Sequence, residues 1–243
     1  MRVKLILKIS AVCCVMLLSK HVKAQFGGQS AFSFLEITNS ARAGALGNDV
    51  IAIQDDDINL AYHNPSLLNK NYNNQFTLNY VNYYAGINMG YAGYAKNTEK
   101  AGTFAFGIHY LNYGSFTETD EFYNTYGTFK AADYAFNIMY SKSLGGNFYG
   151  GINLKPVYSA LERYSSFAMA FDAGITLDIP EKNFTAALVA KNIGRQITTY
   201  YQDGKKEELP FDLQFGLSQK LKYAPFRFMA TLHTLNKWDL TYR

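Results

Sequence analysis

From Gln75 onward apolar and polar residues alternate with a period of two, and before that point no single period holds. Nine stretches carry the alternation, at 75–83, 87–94, 103–113, 133–141, 148–157, 167–177, 184–192, 211–218 and 226–233. Successive side chains of a strand point to opposite faces, so these stretches predict nine strands. In six of them one row is uncharged throughout, as in Phe104, Phe106, Ile108 and Tyr110, or in Tyr134, Phe136, Ile138 and Tyr140, or in Phe226, Phe228, Ala230 and Leu232. The opposite rows hold small or polar residues, among them Ala105, Gly107, His109, Asn137, Gly151, Asn153, Lys155, Asp172, Asp212, Gln214 and Arg227.

A soluble sandwich would turn its dry face to a core and its polar face to bulk water, with more Lys, Glu and Thr on that face than these rows contain. Small and polar rows suit the inside of a closed wall whose dry side meets lipid. The expected fold class is therefore all-β, a transmembrane antiparallel up-and-down β-barrel, with Lys155, Asp172, Asp212 and Arg227 as polar groups of its lumen. Tyr110, Tyr113, Tyr134, Tyr140 and Tyr158 fall at strand ends, where an interfacial aromatic girdle belongs.

The connections at 96–101, 144–147, 178–183 and 219–225 are short, whereas those at 114–132 and 194–210 are long. In bacterial outer-membrane barrels short turns face the periplasm and long loops the exterior. Phe116, Phe122, Tyr123 and Tyr126 in one long loop, and Tyr200 and Tyr201 in the other, are accordingly candidate partner contacts.

What precedes the strands divides in two. Residues 1–24 carry Arg2, Lys4 and Lys8, an apolar run over 9–18, and small residues at Val22 and Ala24, the pattern of a secretory signal peptide cut before Gln25. Residues 25–74 then form an N-terminal segment too irregular for wall, expected to fold into the lumen as a plug, with 75–243 as the strand region.

Composition and charge sharpen this. The chain is rich in aromatics, 20 Tyr and 18 Phe, yet its mean hydropathy is only −0.16, which argues against a bundle of membrane helices. Five basic residues and no acidic one leave with the leader, so 18 basic face 19 acidic residues in the mature chain. Nucleic-acid binding thereby loses its electrostatic argument. Cys13 and Cys14 also lie in the leader, leaving no thiol for a disulfide or a Cys-based metal site.

The run Ala41-Arg42-Ala43-Gly44-Ala45-Leu46-Gly47, followed by Val50, Ala52, Asp55-Asp56 and Asn64-Pro65-Ser66-Leu67-Leu68, resembles a segment shared by FadL-like outer-membrane barrels. Within them the chain is most similar to the PorV/PorQ proteins of the type IX secretion system of Bacteroidota, a likeness extending from Gly27 onward and helped by Phe34-Leu35-Glu36. Asn48 stands where that family often has a second Gly, and Ser66 where Ala is usual. The resemblance implies a fourteen-stranded wall, so a chain with nine strands is expected to be truncated at its C-terminus. It also implies a non-enzymatic role: a membrane tether for a surface protein of the PorZ type and the type IX sortase complex, with Ala41, Arg42, Gly44, Gly47, Asp55, Asp56, Asn64 and Pro65 as the plug motif. FadL-like barrels also include channels for hydrophobic small molecules, which is the competing expectation.

Other chemistry finds little footing. The Asp55-Asp56-Asp57 run lacks the alternating oxygens, central Gly and distant Glu of a calcium loop, so a helix N-terminus or a polar lumen contact is the expected role. His63, His109 and His233 are scattered, and no zincin, nucleophile-elbow or phosphate-loop motif occurs. Neither cofactor nor metal is expected.

Overall fold

The computed structural model describes residues 30–201 and 204–236; the expected leader lies outside the described residues. The strand region forms one antiparallel sheet of nine strands in strict chain order. They are β1 (Gln75–Asn82), β2 (Asn88–Thr98), β3 (Gly102–Thr119), β4 (Thr125–Gly145), β5 (Phe148–Leu161), β6 (Tyr164–Ile179), β7 (Phe184–Thr198), β8 (Asp212–Lys220) and β9 (Arg227–Leu232). Each strand pairs with its sequence neighbours, so β1 and β9 are the two edges among the described residues.

The two-faced reading holds position by position. Phe104, Phe106, Phe136, Ile138, Ile152, Leu154, Ile175, Phe215 and Phe228 are all exposed on one side. Register aligns Tyr110, Tyr134 and Tyr158 across β3, β4 and β5 on that same side, with ring centroids 4.9 and 6.5 Å apart. The other side is buried: Ala105, His109, Asn137, Asn153, Lys155, Asp172 and Gln214 are all nearly inaccessible.

Two expectations need correction. The stretch 114–132 is not a long loop: β3 and β4 stay paired from Ser115↔Lys130 to Thr119↔Thr125, and only five residues turn at the tip. Both faces of that ribbon are largely exposed, so no core selected an apolar row there. Similarly β5 and β6 run on to a two-residue turn at Glu162 and Arg163. The 199–211 connection is the long one at this end.

Residues 30–74 lie on the buried side and are built of short turns, including a five-residue α-helix, Ala41–Ala45, and 3-10 turns at Ser33–Glu36, Ile58–Tyr62, Pro65–Leu67 and Lys70–Tyr72. Polar caps start them: Ser40, Asp57, Asn64 and Asn69 each accept a backbone N–H of the turn that follows. This strap supplies most of the large core residues, and the sheet supplies mainly small ones, with Met89, Tyr91, Leu111 and Met139 as its large members. Phe34 and Leu35 meet Ala135, Val157, Ala168 and Ala170. Ile58, Leu68 and Tyr72 meet Ala95, Ala105 and Met139, while Ile51 and Ala52 meet Ala187 and Val189. Each such fully buried large side chain contributes about 1.5–3 kcal/mol. The hydrophobic core therefore sits between strap and sheet, on the face that the alternation marks as polar.

Candidate functional site

The strap is docked at its centre through Asn64-Pro65-Ser66. Asn64 Nδ2 donates to Ile51 O (2.8 Å) and to Thr176 Oγ1 on β6 (3.0 Å), and Ser66 Oγ lies 2.7 Å from the same hydroxyl. Beneath it Gly151 of β5 faces Gly174 of β6. A Cβ on Gly151 would sit 2.3 Å from Pro65 C, and one on Gly174 2.3 Å from Asn64 Oδ1. Only glycine admits so close an approach.

The charged part of the motif ties the strap to the sheet edge. Arg42 pairs with Asp55 and, at 2.9 Å, with Asp57; Asp55 also pairs with Arg227 of β9 at 3.2 Å. Thr231 of β9 donates to Asp49 O (2.8 Å), whereas on the opposite edge Asn59 accepts from Thr77 and Asn79 of β1. Asp56 instead takes Asn71 Nδ2 (3.1 Å). Gly47 turns the chain at φ +93°, while Ala41 and Gly44 are exposed in the helix; the close approach of strap to sheet is made by the strand glycines Gly151 and Gly174.

Under the strap the sheet carries a buried polar network. Lys155 Nζ lies 2.8 Å from Asp172 Oδ2, donates to Asn192 Oδ1 (2.9 Å), and stands 5.6 Å above the Tyr62 ring. Asp172 also accepts from Asn153 Nδ2 (2.9 Å) and the Asn192 N–H (2.7 Å). A bulge makes this possible: Phe171 pairs with Ile193 and Ala173 with Ala190, so Lys191 and Asn192 together oppose Asp172, with Asn192 at φ 57°. The bulge turns both side chains inward. Nearby, Tyr62 Oη shares a hydrogen bond with His109 Nδ1 (3.0 Å), and His63 Nε2 contacts Asn39 Oδ1 at 3.1 Å. Burial, reinforced by Lys191, Lys155 and His109, pushes the His63 imidazole well below its ordinary 6.5.

The ion pair at the centre is satisfied, whereas Asn153 Oδ1, His63 Nδ1 and His109 Nε2 around it have no protein partner. Lys155 and Asp172 spend their hydrogen-bonding capacity on neighbours, the condition under which a buried ion pair is tolerable. Lys191 faces a small cavity of about 150 Å³ with Asp49, Asp212, Gln214 and His233. Asn48 Oδ1 and Gln214 Oε1 on its lining have no protein partner, and a space of that size suits a few waters. A second cavity, about 550 Å³, opens at the short-turn end between the strap and β2–β4 and is lined mostly by Asn, Lys, Ser and Thr side chains. Among the described residues no group of three His, Cys, Asp or Glu is placed to hold a metal.

The candidate contact residues separate. Phe122 and Tyr123 stand at the β3–β4 tip, 76% and 90% exposed. Phe116 and Tyr126 belong to the strands below it, and Phe116 stacks on Phe129 at 5.3 Å. Tyr200 is tied down by a 2.7 Å bond to Ser159 Oγ, and Tyr201 rests against Tyr164. Sequence reasoning singled out Lys155, Asp172, Asp212 and Arg227, of which the first two form one pair and the others stand apart. It missed Lys191 and Asn192, whose adjacent polar side chains break the alternation of β7 and were the available signal.

No family model matches the sequence, and no curated protein matches it.

Proposed function

We propose that the chain is part of the wall of an outer-membrane β-barrel with a filled lumen, and that it serves as a non-enzymatic membrane tether for a surface protein, as PorQ does in type IX secretion. The single observation that carries this reading is the occupation of the inner face. The strap covers it from β1 to β9 with apolar contacts, ion pairs and buried hydrogen bonds. What remains for function is the outer end of the loops. The apolar outer rows support a lipid-facing wall, since a soluble protein rarely exposes so large an apolar surface. In lipid the open N–H and C=O groups of the β1 and β9 edges require strand partners of their own.

The partners that follow are outer-membrane lipid, a surface protein of the PorZ type and the sortase complex. A channel for hydrophobic molecules would need an apolar inner cavity, and the cavities that touch the strap are polar. The decisive experiment deletes the gene in its host, with membrane fractionation of the tagged chain alongside. Release of surface-anchored cargo is expected, with the chain in the outer-membrane fraction. Intact anchoring combined with failed fatty-acid uptake would put the channel in its place.

A further inference from the structure

The β3–β4 ribbon outruns its neighbours. β2 pairs with β3 no further than Asn112, and β5 meets β4 no further than Ala131, with one more hydrogen bond from Glu162 N–H to Lys130 O (3.0 Å). The four pairs from Phe116↔Phe129 to Thr119↔Thr125 therefore stand beyond the backbone pairing of the neighbouring strands and project about 14 Å past the sheet. A free two-stranded ribbon is marginal in water, and this one is held by specific means. Phe116 and Phe129 stack with their planes 22° apart. At the tip the Asp120 carboxylate accepts four hydrogen bonds, from the N–H groups of Phe122 and Asn124, from Asn124 Nδ2 and from Tyr126 Oη, all at 2.9 Å. Asp120 N–H donates in turn to Asn124 O, and Tyr123 N–H to Asp120 O. The turn is thus fixed around one carboxylate, and it spends Phe122 and Tyr123 on display.

An aromatic pair carried on a fixed turn loses little backbone entropy on docking, and aromatic anchors dominate binding energy where they fill pockets. Charge narrows what the pair can fill. From Gly114 to Phe129 the ribbon carries Glu118, Asp120 and Glu121 and no basic residue. Anionic lipid phosphates repel such a tip, and a cationic rim attracts it. The other tips at this end are less acidic: Tyr83 and Tyr84 have no charge beside them, Glu162 and Arg163 balance, and Asp203, Lys205, Lys206, Glu207 and Glu208 sum to −1 against −3 for the ribbon.

The geometry points to the β3–β4 tip as the docking element for a partner protein that presents an apolar groove rimmed by lysine and arginine. The inference rests on the tether reading, to which it adds the contact residues and the chemistry of the partner. Its test places a photo-cross-linking amino acid at position 123, and as a control at position 84, in the full chain in its native host. One protein adduct of defined mass is expected at 123, absent at 84 and absent when Glu118→Lys and Glu121→Lys are added. That protein, purified, should bind the chain in lipid nanodiscs, with Phe122→Ala/Tyr123→Ala weakening Kd at least about 30-fold. Asp120→Ala, which leaves both aromatics in place, should weaken it about five- to tenfold through lost order. An adduct with lipid or lipopolysaccharide, with a second copy of the chain, with the same protein at both positions, or no adduct would overturn the inference. A deletion phenotype fully complemented by Phe122→Ala/Tyr123→Ala would sink the tip and spare the tether; a deletion without phenotype beside a specific adduct would do the reverse.

Discussion

Gly151 and Gly174 leave a gap of one methyl group each, and Asn64-Pro65-Ser66 fills it. Gly151→Ala should force backbone apart from backbone, costing about 1–3 kcal/mol or more, read as a lower urea midpoint in detergent and faster proteolysis within 30–74. A variant as stable and protected as the parent would show the strap is not seated there. Lys155→Met should cost about 3–5 kcal/mol because it strands Asp172 in the interior; adding Asp172→Leu should restore part of the loss, and a double variant no better than the single would break the coupling. His63 brings pH into play. Its folded pKa lies below 6.5, so its contribution is complete above about pH 6.5 and is lost as pH falls, when the unfolded chain takes a proton that the folded one refuses. Between pH 7.5 and 5 the parent should therefore lose more stability than His63→Gln, by up to about 1.4 kcal/mol per unit below 6.5; equal slopes would contradict the assignment. Of these residues the sequence made Lys155 and Asp172 visible as polar marks on an inner row. It hid their pairing, and hid what Gly174 is for, because both depend on register between strands.

At the scale of elements, legibility follows the environment. Where one face meets the strap, as in β4 over 133–141 or β6 over 167–177, burial sorts residues by size and polarity, and the strand can be read from alternation alone. Beyond Asn112 both faces of the β3–β4 ribbon are largely solvated, the sorting stops, and a strand looks like a loop. The β7 bulge is intermediate: two polar residues in succession announce an irregularity without saying that both turn inward.

For the whole molecule, the outer face decides what surrounds it. Leu154 is exposed in the middle of β5. In lipid, Leu154→Arg should cost about 2–4 kcal/mol at mid-depth; on a water-facing surface it should change stability by no more than about 0.5 kcal/mol. Unfolding measured in lipid vesicles separates the two, and the smaller value would remove the membrane from the account.

The strap also spans the sheet, from Asn59 against β1 to Asp55 and Asp49 against β9. Those last contacts join residues 172 and 182 positions apart, so the part of the chain made early finds these partners only when the part made late is in place. Contacts of such sequence separation form slowly, since the intervening chain must first be ordered. Closure of the strap against β9 is therefore a late event in folding, and protease protection around Asp49 and Asp55 is a timer for completion of the sheet up to β9.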